Sequence, residues 1–216
     1  SVRILGPTEF AIRFPAAVLG ALAIFALWRY ARRWFGAGPA LAAAVLLATL
    51  PFHAHWSRMA RGYTGMALMT ILAVHGFTTV VRTGSKRGAV EHALALVFAV
   101  YFHLYAVWVF FVQYGLFTVL AVISALRPGA SAPLARRSFQ LLWLSFLCAG
   151  VGIAILYAPV ANGFLNALPF FAQPGSIRPG LFVHVFDGFS ATTSIVIRLG
   201  IAALLIGGAV FLWRHC

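Results

Sequence analysis

Acidic side chains are nearly missing from this sequence: Glu9, Glu91 and Asp187 are the only three in 216 residues. Charge of either sign is scarce, at 9% of residues against about 25% in ordinary globular domains, which excludes a water-soluble surface. Cysteine is scarce as well. Cys148 lies inside an apolar run and Cys216 is the last residue, so the two form neither a disulfide framework nor a metal cluster. No charged n-region, short apolar core and small-residue cleavage site appear in series near Ser1, so no cleavable signal is read. Internal repeats and low-complexity segments are also lacking.

Hydrophobic residues make up 62% of the chain, and its sixteen Lys and Arg give a formal charge of +13. Nucleic-acid binders gather such bases on one solvated face. Here they sit in the breaks between apolar runs, which is a membrane-topology signal rather than a nucleic-acid signal. The runs are approximately Ile12–Leu27, Pro39–Phe52, Thr64–Val81, His92–His103, Tyr105–Leu126, Phe139–Pro159 and Ile195–Trp213. A spanning helix needs about 20 apolar residues. The second and fourth runs are short and must extend into their flanks. Open strands leave backbone groups unpaired in lipid, so the spans must be helical. The expected fold is all-α: a polytopic transmembrane bundle of about seven spans in a single domain, residues 1–216.

Orientation follows from the bases. If the first helix runs inward, alternate breaks hold Arg29, Arg32 and Arg33; Arg82, Lys86 and Arg87; Arg127, Arg136 and Arg137; and Arg214. Ten of the sixteen bases then lie on one side, leaving Arg3, Arg13, Arg58, Arg61, Arg178 and Arg198 opposite. The ten-base side is read as cytoplasmic, comprising residues 29–38, 82–91, 127–138 and the C-terminus, in a multi-pass protein of the cell (inner or plasma) membrane. The long connection Ala161–Thr193, broken by Pro169, Pro174 and Pro179 and rich in Phe, is expected to lie externally at the headgroup layer.

The external arginines go against the charge rule. An Arg near the bilayer centre costs at least about 2.5–3.5 kcal/mol, so bases kept on the outer side, beside helices, suggest an anionic partner. In Pro51-Phe-His-Ala-His-Trp-Ser-Arg-Met-Ala-Arg-Gly-Tyr63, a helical reading places Arg58 and Arg61 on one face at i, i+3, and His55 extends it. Guanidinium groups match phosphate oxygens two at a time. The alternative is a pair that snorkels to lipid headgroups. Glu9 and Arg13, four apart, suit a simple ion pair. Of the histidines, His53 and His55 fall on different sides of a helix, and His75 is read as satisfied by a neighbouring carbonyl. His103 and Tyr105 are candidates to line a cavity or to cap a hairpin. His184 and Asp187, three apart, could hold a divalent cation, but zinc chemistry needs a further ligand, so no metal or other cofactor is assigned.

Several segments resemble one family. Thr8-Glu-Phe-Ala-Ile-Arg-Phe-Pro-Ala-Ala-Val-Leu-Gly20 is similar to the entry of an early helix in family 39-type membrane glycosyltransferases. That family includes protein O-mannosyltransferases and the aminoarabinose lipid A transferase. Trp28–Gly36 resembles its basic cytoplasmic turn, and Ser57-Arg-Met-Ala-Arg-Gly-Tyr63 its external arginine motif. Tyr101–Tyr105 and Ile155–Pro159 resemble a helix hairpin and a helix end, so the likeness covers most of residues 8–160 in order. Two departures stand out: the family has Glu where Met59 stands and Met where Gly62 stands.

The resemblance implies a helical bundle of the GT-C type and a polyprenyl-phosphate sugar donor, with inversion at the anomeric carbon. The partners it implies are that donor, the bilayer and an acceptor lipid, glycan or protein, but no nucleic acid. Arg58 and Arg61 would hold the departing phosphate, with Tyr63 orienting one of them and His55 beside them; Glu9, Arg13, His103 and Tyr105 would belong to the cavity. The family's essential acid follows an earlier helix, so the catalytic base is expected upstream of Ser1. A chain without it, and without further C-terminal spans, is expected to be inactive alone. The competing reading is a transporter or flippase for an anionic solute or lipid, which an inverted repeat would favour.

Overall fold

The computed structural model describes residues 6, 8–127 and 134–160. All regular structure among them is helical. Helix α1, Glu9–Phe35, begins where the Thr8 side chain accepts the Ala11 N–H at 3.2 Å and Glu9 places an acid in the first turn, both favourable at a helix N-terminus. It ends at Gly36, whose φ of 83° lies in the region that glycine tolerates. Helix α2, Ala37–Thr49, gives way to α3, Pro51–Ser57, at extended Leu50. A residue before proline avoids the helical region, and the two helices meet at a bend of 61°.

Helix α4, Tyr63–Thr83, stops at Gly84 in the left-handed conformation, with φ 59°. Ser85 then caps α5, Lys86–Phe102, through the Gly88 N–H. A single 3₁₀ turn, Leu104–Ala106, leads into α6, Val107–Leu126; α7, Arg136–Tyr157, closes the described part with a second 3₁₀ turn, Ala158–Val160.

Helix α1 packs on α2 and α4, α4 packs on α5, and α5 packs on α7. Small residues permit this: the buried stripe of α1 is Ala11, Ala16, Gly20, Ala23 and Ala26. The main core gathers Phe77, Val80, Leu96, Phe117, Leu142 and Phe146 from α4 through α7. Large apolar side chains also cover the outside, Val112 at 70% and Leu126 at 76% exposure among them. Such a surface suits lipid, not water.

The seven expected spans become four helices long and apolar enough to cross a membrane among the described residues, or five if α2 and α3 count as one broken span. The four are α1, α4, Leu104–Leu126 and α7. Helix α5 has 17 residues and a rise of about 26 Å, just short of a hydrocarbon core near 30 Å. The expected segment Ile195–Trp213 and the loop Ala161–Thr193 lie outside the described residues.

Candidate functional site

Chain connectivity brings the start of α1, the α3–α4 turn and the α5–α6 junction to one end of the bundle. Glycine makes the approach possible: a Cβ at Gly62 would collide with the Phe102 carbonyl oxygen, and one at Gly20 with the Ser57 hydroxyl. Helix α3 is fixed beneath this end by His53, which donates its Nε2–H to the Gly20 carbonyl at 3.3 Å.

The helical i, i+3 arrangement expected for Arg58 and Arg61 does not form. Helix α3 ends at Ser57, and residues 58–62 make a tight turn in which Arg61 N–H donates to Met59 O at 2.8 Å. The turn separates the two guanidinia. Arg58 lines a cavity of about 610 Å³ with Glu9, Arg13, His55, Ile12 and Met59. Arg61 lines a neighbouring cavity of about 390 Å³ with Pro15, Leu19, Tyr101 and Phe102. Ile12 and Ala60 belong to both walls, so the two volumes adjoin, the first lined by Glu9, Arg13, His55 and Arg58 and the second by Arg61 among apolar side chains.

Glu9 and Arg13 form the i, i+4 pair that their spacing suggested, at 2.9 Å. Tyr63 stands between two other aromatic rings. Its ring lies 3.9 Å from that of Trp56 and 4.3 Å from that of His103, and His103 lies 5.0 Å from Tyr105. It is a rung of an aromatic ladder, and Arg61 sits over Trp56 at 5.9 Å. His103 caps the 3₁₀ turn between α5 and α6: its Nδ1 accepts the Tyr105 N–H at 3.2 Å. Partial burial lowers its pKa below the usual imidazole value, and the positive charge of Arg61 lowers it further. Trp56 Nε1 and Thr64 Oγ1 are enclosed and have no hydrogen-bond partner among the described residues.

Two polar clusters escaped the sequence reading. His75 is held by a carboxylate rather than a carbonyl, donating Nδ1–H to Glu91 Oε1 at 2.9 Å. His92 of α5 is buried with Nε2 2.9 Å from Gln113 Oε1 of α6 and Nδ1 2.8 Å from Ser145 Oγ of α7. Glu91 had a signal, being one of three acids and lying beside an apolar run; the His92 partners, 21 and 53 residues away, had none. Among the described residues no three His, Cys, Asp or Glu side chains converge on a metal position, while His184 and Asp187 lie outside them.

Apolar helices with a lipid-compatible exterior and a charged cleft at one end define a multi-pass membrane protein. A family model described as dolichyl-phosphate-mannose-protein mannosyltransferase matches residues 1–130, more than half of the chain. The chain belongs to that family, which is one of membrane glycosyltransferases. No curated protein and no solved structure matches it.

Proposed function

We propose that this chain forms the donor-recognition part of an enzyme that moves a sugar from a polyprenyl-phosphate carrier to an acceptor hydroxyl at the outer face of the membrane. The observation that supports it is the paired cavity: Arg13, His55 and Arg58 on the charged side, and Pro15, Leu19, Tyr101 and Phe102 with Arg61 on the other. A lipid phosphate needs both, cations for the head and apolar wall for the first isoprene units. The transporter reading is not favoured by the family match.

In the reaction, the acceptor oxygen attacks the anomeric carbon as a base removes its proton. The bond from that carbon to the phosphate oxygen breaks, and the electron pair leaves with the phosphate. Charge grows on the phosphate, where fixed cations stabilise the transition state more than the ground state. Arg58 and Arg61 take that task from opposite sides of the turn. Glu9 is engaged by Arg13 and serves to orient it. No carboxylate among the described residues is assigned as the base.

The test is sugar transfer by the full-length enzyme with a polyprenyl-phosphate sugar. Arg58→Ala and Arg61→Ala should each lower kcat/KM by about 10²–10³, the usual effect of removing one charge-stabilising donor. Unchanged transfer removes the site. The topology part, with residues 57–63 outside and 29–38 and 82–91 inside, is checked by impermeant cysteine labelling; reaction of residues 57–63 from the cytosolic side alone overturns it.

A further inference from the structure

A second cationic pocket lies at the opposite end of the bundle from the candidate site. Arg29 and Arg33, one turn apart on α1, line a cavity of about 250 Å³ together with Arg87 in the first turn of α5. Among the described residues none of these three guanidinia has an ion pair. The single carboxylate lining the cavity, Glu91, is already held by His75. Helix α5 also points its N-terminus here. Ser85 caps Gly88, while the Lys86 and Arg87 N–H groups occupy positions that have no intrahelical acceptor and favour anions. The three guanidinia and the helix N-terminus carry the same sign and outnumber the one carboxylate, so the pocket favours an anion.

The pocket adjoins an apolar groove. Tyr30 and His75 form part of both walls, and beyond them a cavity of about 400 Å³ runs between Leu27, Ala31 and Phe35 of α1 and Ile71 and Val74 of α4. Trp34 also lines it, and the Arg82 guanidinium lies over that ring at 4.1 Å. A free inorganic anion gains nothing from that groove, and a neutral hydrocarbon gains nothing from the arginines. Only an amphiphile with an anionic head uses both.

We infer that this end of the bundle binds an anionic phospholipid, its phosphate on Arg29, Arg33 and Arg87 and one acyl chain in the groove between α1 and α4. Basic pockets between membrane helices on the cytoplasmic side take anionic headgroups. The site is independent of sugar transfer, since neither Arg58 nor Arg61 takes part in it.

The experiment uses the full chain, purified in non-ionic detergent and stripped of lipid. Native mass spectrometry after adding equal phosphatidylglycerol and phosphatidylcholine should show one phosphatidylglycerol retained, preferred by at least roughly 10-fold, with the preference falling as salt rises. Phosphatidylglycerol should also raise the melting temperature where inorganic phosphate at the same concentration does not. The triple variant R29Q, R33Q, R87Q should lose the preference, and Ile71→Trp should lower retention by filling the groove. Equal retention of the two lipids by the unaltered protein overturns the proposal, and that result does not depend on any variant folding. Equal stabilisation by inorganic phosphate overturns the lipid assignment, and an undiminished preference in the triple variant overturns the residues.

Discussion

His75 of α4 donates its Nδ1–H to Glu91 of α5 at 2.9 Å, while its ring stacks on Tyr30 of α1 at 3.7 Å. One imidazole therefore ties three helices near the basic end. Hydrogen bonds between membrane helices average about 0.6 kcal/mol and reach about 1.7. Glu91→Leu should destabilise the protein by an amount in that range, and Glu91→Gln, which keeps an acceptor oxygen, by less. Reversible unfolding in mixed micelles measures both; a Glu91→Leu protein as stable as its parent would show that the bond ties nothing.

The α4–α5 contact depends on two glycines. A Cβ on Gly76 would stand 2.7 Å from His92 N and 2.8 Å from Gly88 O, which are backbone atoms that cannot swing aside. Gly76→Val should therefore cost about 1–3 kcal/mol or more as the helices are forced apart. Gly115 of α6 has nothing within 4 Å of its Cβ position. Gly115→Ala should be neutral or stabilise by up to about 1 kcal/mol through helix propensity. Unfolding of the two variants side by side checks the contrast, and similar costs at both positions would refute it.

Helix identity and the distribution of bases were legible because both are local. Apolar runs mark α1, α4, α6 and α7, and the last turns of α1 and the start of α5 carry bases that the structure collects at one end. The Glu9–Arg13 pair was legible for the same reason, being four residues apart on a helix. The separation of Arg58 from Arg61 was not. Helix α3 stops at Ser57 because the chain must pass beneath Phe102, where Gly62 meets the carbonyl, and that neighbour lies 40 residues on. Tyr63 was likewise captured by Trp56 and His103 from two other elements, contacts with no sequence spacing to announce them.

The buried His92 cluster makes a sharper demand. The Ser145 hydroxyl lies 2.8 Å from both His92 Nδ1 and the Leu142 carbonyl, and it has a single proton to give. Gln113 Nε2 has no partner among the described residues. His92→Phe fills the space but leaves Gln113 Oε1 without its donor, so a loss of about 1–3 kcal/mol is expected. Pairing it with Gln113→Leu should recover part of that loss, because the unpaired amide goes too. A double-mutant cycle on unfolding free energies decides it, and strictly additive losses would mean that the two side chains do not interact.

His103 links the aromatic ladder to the cation beside it. Burial first and then the Arg61 charge hold its pKa below the ordinary imidazole value of 6.5. The unfolded chain consequently takes up a proton at a higher pH than the folded one. The contribution of this group to stability is complete above pH 6.5 and is lost as pH falls through the folded-state pKa. Arg61→Gln removes the repulsion but not the burial, so the His103 titration should move upward without reaching its unfolded position. Arg58→Gln, on the wall shared with Glu9, should leave it where it is. Imidazole-labelled NMR in nanodiscs reads the midpoint directly; an Arg61→Gln midpoint that stays put or falls would mean the guanidinium lies too far from the ring to act on it, and would loosen Arg61 from the site as well.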